Sequence, residues 1–171
     1  MIDTFVKEGL IQELKKENVV CKMPVELKHA GKSDVYFDIK KAYGNPQTLS
    51  LIAYALWQML DKKITCVAAC GYGGISPATI IEIRYGVKLT LIRDEQKGRG
   101  TNKLIEGYEP ASKDLVALID DVCTTGKSFQ TMIDVLKPTG ALIAGCYCVL
   151  KRAETQLSVP INHILIPADL I

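Results

Sequence analysis

No run of apolar residues in this chain approaches the roughly 18 that a membrane-spanning helix requires, which excludes a span of that kind. Nor is there an excess of one charge. Lys and Arg number 21 against 19 Asp and Glu, a formal +2, so there is no global field to gather nucleic acid or an acidic membrane. Any anion site must be local, and with neither a basic patch nor a recognition-helix pattern no nucleic-acid partner is expected. None of the six cysteines forms a Cys-x-x-Cys pair, the spacing of zinc and redox sites. Cys66, Cys146 and Cys148 sit inside apolar runs and read as buried, reduced thiols. Internal repeats, low-complexity tracts and linkers are absent as well. The opening Met1-Ile2-Asp3-Thr4 carries an acid where a signal peptide would carry basic charge, and a cytoplasmic location is expected.

What is present is enough for one core. At 171 residues and 48% apolar composition, the chain suits a single domain and is short for two. Residues Ile2 to Lys16 place Phe5, Val6, Leu10, Ile11 and Leu14 at helical spacing. Asn45-Pro46 has the form of a helix start, and Leu49, Ile52, Ala53, Leu56, Trp57 and Leu60 carry that helix to about Asp61.

Beyond it come short apolar runs: Ile64 to Ala69, Lys88 to Ile92, Leu115 to Ile119, Ala141 to Leu150 and Ile161 to Ile166. These read as buried strands. Helical stretches at Pro77 to Tyr85 and Gly126 to Leu136 alternate with them, which implies parallel strands joined by crossovers. The fold class is α/β. In such sheets ligands bind beyond the carboxyl ends of the strands, so the turns there are where function should lie.

The most informative turn is Asp120-Asp121-Val122-Cys123-Thr124-Thr125-Gly126-Lys127-Ser128, at the end of the run Leu115 to Ile119. A strand delivers adjacent carboxylates to its end, and a Thr-Thr-Gly turn then opens a helix. Free N–H groups and the helix dipole favour a phosphate above that turn. Hydroxyls of Thr124, Thr125 and Ser128 add donors, Gly126 permits close approach, and the two acids can accept bonds from ribose hydroxyls. An ordinary capped helix would explain the threonines but not the acids, which are costly to desolvate unless something occupies their oxygens. Gly126-Lys127-Ser128 matches the end of a P-loop, but Asp121 stands where its first glycine should be. Cys123 lies beside the helix N-terminus, where thiolate is favoured; bound donor should slow its alkylation.

Residues 119–128 resemble the phosphoribosyl diphosphate signature of type I phosphoribosyltransferases, and further segments resemble their orotate branch; the resemblance runs from about Leu27 to Arg152. It implies a type I phosphoribosyltransferase fold, with a central mostly parallel sheet flanked by helices and a small amino-terminal hood. All of 1–171 would be one domain, about 1–40 forming the hood and base-binding segment and about 41–150 the core. Asp120 and Asp121 would be catalytic, and Val122 to Ser128 would bind the donor, 5-phosphoribosyl 1-diphosphate. Cys70-Gly71-Tyr72-Gly73-Gly74-Ile75-Ser76, a poor dinucleotide fingerprint since Ser76 replaces the third glycine, resembles the diphosphate-binding loop; the helix after it is expected from Pro77. Tyr72, Gly73 and Gly74 would touch the donor.

Between Arg93 and Gly107 a charged, glycine-containing stretch, on its own a solvated hairpin, resembles the family's catalytic loop, which serves the neighbouring subunit. By that match Arg93, Lys97 and Arg99 neutralise the leaving diphosphate. Lys28, the aromatic pair Tyr36 and Phe37, Thr124 and Arg152 match positions that hold orotate. Mg²⁺ is implied on ligand oxygens and water, with no direct protein ligand; a homodimer is implied by the shared loop. The chain departs from the pattern where Asp94 and Gly73 replace lysines and Arg99 replaces a histidine. Such losses of positive charge should weaken diphosphate attraction by about 1 kcal/mol or more in a partly dry site. The chain also stops soon after its last strand, so part of a carboxyl-terminal cover is expected to be missing. The alternatives are a purine phosphoribosyltransferase, with no use for Lys28 and Arg152, and a non-catalytic donor-binding regulator.

Overall fold

The computed structural model describes residues 2–21, 25–27, 31–33, 35–93 and 103–171. Helix α1 (Thr4–Lys16) starts where the Asp3 carboxylate accepts the amides of Phe5 and Val6. Leu10 and Leu14 of its stripe are fully buried, whereas Phe5 is 84% exposed and does not belong to it. Two small antiparallel pairs follow: β1 (Val20–Cys21) with β4 (Tyr36–Phe37), and β2 (Val25–Leu27) with β3 (Gly31–Ser33). A 3₁₀ turn, Ile39–Gly44, then leads into α2 (Pro46–Met59), where Asn45 caps the amides of Gln47 and Thr48 as the Asn-Pro pair predicts.

The main sheet contains β5 (Cys66–Cys70), β6 (Lys88–Ile92), β7 (Ile105–Gly107), β8 (Leu115–Cys123), β9 (Leu142–Lys151) and β10 (Ile161–Leu165). Its order is β10-β9-β8-β5-β6-β7, parallel throughout except for β7, which runs antiparallel to β6. The remaining helices are α3 (Gly71–Tyr85), α4 (Lys127–Leu136) and the short α5 (Pro167–Leu170). Alternation along the strands divides the core in two. Val67, Ala69, Ala117, Ile119, Tyr147 and Val149 face the side that carries α1, α2 and α3. Cys66, Ala68, Val116, Leu118, Cys146 and Cys148 face Phe129, Met132 and Leu136 of α4. Among the described residues no helix is long and apolar enough to cross a membrane.

Two boundaries differ from the sequence reading, and both bear on function. Strand β8 does not stop at Ile119 but runs through the aspartates to Cys123, because β9 goes on pairing with it: Asp120 opposite Cys148, Val122 opposite Leu150 and Cys123 opposite Lys151. Helix α3 begins at Gly71, not near Pro77, so the glycine-rich stretch is its first turns and Pro77 lies inside it. Proline has no N–H, which leaves the Gly73 carbonyl four residues earlier without its helical donor. The Tyr43 hydroxyl takes that place, donating to the Gly73 carbonyl at 2.6 Å.

Candidate active site

The site is assembled at the carboxyl ends of β5 and β8. Because β8 stays extended through both aspartates, their side chains leave opposite faces of the sheet. Asp121 faces the 3₁₀ turn and α3: its Oδ2 lies 3.0 Å from the Lys40 ammonium and its Oδ1 accepts the Val122 amide at 2.8 Å. Asp120 faces α4, interacts with the Ser128 hydroxyl, and accepts the Asp121 amide at 2.9 Å. The oxygens that seemed to demand a ligand are therefore partly satisfied by the protein itself.

Charge is unevenly held in this pair. Burial pushes the Asp120 carboxyl well above the usual carboxylate range and the negative charge of Asp121 pushes it further, against the Asp121 amide and Ser128. For Lys40 burial acts downward, but the charge and hydrogen bond of Asp121 outweigh it, and the ammonium is held more firmly than usual. The Tyr43 phenol is raised by burial, then by Asp121 and Asp120, so it remains a proton-bearing donor.

Gly73 and Gly74 are where the core admits no side chain. A Cβ on Gly73 would lie 2.2 Å from the Asp121 Oδ1, and one on Gly74 would lie 2.3 Å from the Ile119 carbonyl oxygen. Gly73 is thus more than a lysine lost: its bareness is what lets Asp121 pack against α3. Tyr72, one position earlier, is 86% exposed.

The turn Thr124 to Gly126 leads into α4, with Gly126 as N-cap at φ 77. The N–H groups of the first helical turn have no intrahelical acceptors, as a phosphate site requires. Thr124 is half-buried; Thr125, Lys127 and Ser128 are exposed. The turn is braced from behind by the chain after β9: the Thr155 hydroxyl donates to the Thr124 carbonyl at 2.9 Å, and the Arg152 amide donates to the Cys123 carbonyl at 2.8 Å.

Beside Asp121 opens a cavity of about 180 Å³ lined by Tyr36, Phe37, Lys40, Asp121, Val122, Thr124 and Arg152. That is below the ~300–1,000 Å³ of sites for drug-sized ligands and fits one small ring, not a nucleotide. The Arg152 guanidinium donates to the Val35 carbonyl at 2.8 Å and stands 5.8 Å over the Phe37 ring, which fixes a cation at the cavity wall. Four residues expected around a base, Tyr36, Phe37, Thr124 and Arg152, thus meet in one cavity. A larger cavity of about 460 Å³ lies against Leu104, Ile105 and Val135 and touches none of these groups.

Other expectations fared differently. Lys28, Asp94, Lys97 and Arg99 lie outside the described residues. Arg93 pairs with Glu106 where β6 and β7 part, and its amide donates to the Leu104 carbonyl, so it closes the base of a hairpin. Cys123 is not the accessible thiol expected: it is 2% exposed, on the α4 side of the core. Its thiol is brought to about 7 first by the hydrogen bond with Cys148, against burial, and then by Thr155 and Lys151, and not by the helix terminus alone. The sequence reading missed Lys40, Tyr43 and Thr155. The demand of the aspartates for a partner was the one signal that could have pointed to a lysine.

The profile of the phosphoribosyl transferase domain matches residues 39–163. The chain is 31% identical over 149 residues to the orotate phosphoribosyltransferase of Methanothermobacter thermautotrophicus, covering 87% of this chain and 82% of that protein. It belongs to the orotate branch of the phosphoribosyltransferase family. The orotate phosphoribosyltransferase of Pyrococcus furiosus is 33% identical over 152 residues, with 87% and 83% of the two chains covered. The solved structure of orotate phosphoribosyltransferase from Aeropyrum pernix superposes with a TM-score of 0.82 at 25% identity, covering 94% of this chain and 95% of that one. The six-stranded, mostly parallel sheet flanked by helices is the type I phosphoribosyltransferase fold, in agreement with the sequence reading.

Proposed function

We propose that this chain transfers the 5-phosphoribosyl group of 5-phosphoribosyl 1-diphosphate to orotate, giving orotidine 5′-monophosphate and diphosphate. The observation that carries this reading is a juxtaposition: a one-ring cavity walled by Tyr36, Phe37 and Arg152 shares Asp121 and Thr124 with the strand end and phosphate turn. In this reading the free amides of the turn and of the first turn of α4 hold the 5-phosphate, and Asp120 and Asp121 accept the ribose hydroxyls. The ring nitrogen of orotate attacks C1, the C1–oxygen bond to diphosphate breaks, and the configuration inverts. Positive charge develops on the ribose, where the Asp121 carboxylate beside it favours that charge. Arg152 suits an anionic base.

Lys97 and Arg99 are assigned to the leaving diphosphate, with Arg93 at the base of their loop. Magnesium would be brought by the donor, with diphosphate oxygens and water as its ligands. The Asp121 carboxylate at the strand end is already paired with Lys40, so a metal there would rely on the donor's own oxygens. A homodimer is supported by α3, whose Tyr72 and Ile83 are 86% and 78% exposed on an outer face next to the diphosphate segment. A cytoplasmic setting accords with the free cysteines, four of them buried.

The test is diphosphate release with orotate, uracil, adenine, hypoxanthine and no base. Release with orotate alone is expected. Release with a purine would move the chain to another branch, and donor binding with no release on any base would make it a regulator. Asp121→Asn and Lys97→Ala should each cut turnover by about 10²-fold or more with the fold intact, and wild-type turnover in either would refute its assigned role.

A further inference from the structure

The 3₁₀ turn Ile39–Gly44 touches both the strand end that carries Asp121 and the first turns of α3. Its Lys40 ammonium lies 3.0 Å from the Asp121 carboxylate and 3.9 Å from the Asp38 carboxylate. Its Tyr43 hydroxyl holds the Gly73 carbonyl in the first turns of α3. Gly73 in turn packs so closely on Asp121 that even a methyl group between them is excluded. Turn, helix and carboxylate therefore form one closed set of contacts. We infer that Lys40 is a positioning residue of the proposed transfer, an ammonium that holds the Asp121 carboxylate against α3 and aimed at the ribose.

The geometry makes a cation necessary at this place. Asp121 is buried, with another carboxyl as its chain neighbour, and two such groups in contact do not both ionise without compensation. Among the described residues, few charged groups face it. The 3₁₀ turn and the residue before it bring Lys40, Tyr43 and Asp38; β8 itself brings Asp120; across the cavity stand Arg152 and Tyr36; α3 presents the Gly73 backbone. Among the described residues, Lys40 lies in ion-pair contact with Asp121, while Arg152 is engaged with the Val35 carbonyl and the Phe37 ring. Consistently, it is Asp120, whose oxygens face α4 and not Lys40, that is pushed toward its neutral form. The half-exposed Lys40 stem also lines the ring cavity, so a base entering there passes the same ammonium.

This inference rests on the function proposed above, and the experiment keeps the two separate. Diphosphate release with orotate and, independently, calorimetric binding of 5-phosphoribosyl 1-diphosphate are measured from about pH 5 to 9 for wild type, Lys40→Met, Lys40→Gln and Lys40→Arg, with thermal unfolding of each. Lys40→Met and Lys40→Gln should lose on the order of 10- to 100-fold in kcat/KM near neutral pH. The acid limb of their pH profiles should move up by about one pH unit, and donor binding should weaken over the same range. Lys40→Arg should restore the position of that limb. A wild-type acid limb in a folded Met or Gln variant, or an Arg variant as impaired as the neutral ones, would overturn the inference. If wild type binds donor but releases no diphosphate with orotate, the proposed function fails, and the pH dependence of donor binding still decides the role of Lys40.

Discussion

Replacing Gly73 by alanine isolates the contact between α3 and the catalytic strand. The added Cβ would sit 2.2 Å from Oδ1, 2.5 Å from Cγ and 2.9 Å from Oδ2 of Asp121, against an ordinary contact of 3.4–4 Å. Relief takes about 1 Å of movement by the carboxylate, since the other side of the clash is helix backbone. That movement carries Asp121 away from Lys40 and from the Val122 amide, now at 3.0 and 2.8 Å. A misplacement of ~1 Å costs about 10²-fold in rate, or ~2.7 kcal/mol of transition-state stabilisation. Stability should suffer far less. Overpacking costs ~1–3 kcal/mol, alanine returns ~0.8–1 kcal/mol of helix propensity, and the obstacle is the movable end of a side chain. Gly74→Ala is the control, because its Cβ meets the Ile119 carbonyl at 2.3 Å, inside a central strand that cannot yield. At ~3 kcal/mol or more it should lower Tm by about 6–12 °C. Steady-state diphosphate release and thermal unfolding of both variants give the answer. Wild-type kcat/KM in Gly73→Ala, or a loss of Tm equal to that of Gly74→Ala, would refute the argument.

Three other expectations follow from the same geometry. Asp120 is held neutral to unusually high pH, and in the proposed site ribose hydroxyls would bind its ionised form, so donor affinity should rise with pH up to that raised value, by at most about tenfold per unit; calorimetry should find this slope gone in Asp120→Asn. The same raised value means that the stability contributed by this carboxyl is complete below the unfolded-state value of ~3.9 and is lost as pH rises through the folded one, so Asp120→Asn should unfold at higher temperature than wild type at neutral pH. Asp114 has the opposite sign: burial acts upward, but the Ala111 amide, the Tyr108 phenol and the Thr65 hydroxyl together hold it below the usual carboxylate range. Its contribution is present above ~3.9 and lost as pH falls through the folded value, and acid titration of Asp114→Asn should show a weaker dependence there. Thr155→Val, which removes the bond to the Thr124 carbonyl, should cost ~0.5–1.5 kcal/mol and raise the donor KM with kcat little changed.

The strands of the main sheet could be read from the sequence because each is an apolar run buried on both faces, a signal independent of its neighbours. The β8 boundary could not. Two aspartates look like the start of a turn, and only pairing with β9 out to Lys151 keeps them extended and sends them to opposite faces. The α3 start was misplaced for a related reason: Pro77 is favoured in a first turn, but tertiary contacts begin the helix at Gly71 and supply the carbonyl that proline abandons. Phe37, Thr124 and Arg152 were legible through resemblance, each in its own segment, yet nothing local announces that they share a cavity. Lys40 and Tyr43 lie in a 3₁₀ turn without periodicity, and their importance exists only across 81 and 30 residues of sequence separation.

A proline that withdraws an amide from its own helix leaves an acceptor for a stranger. Restoring that amide with Pro77→Ala would make α3 more regular while placing two donors, one local and one from the 3₁₀ turn, in competition for a single oxygen. The irregularity is thus a fastening between distant stretches of chain, and straightening the helix would loosen the clasp that Tyr43 makes on the first turns of α3.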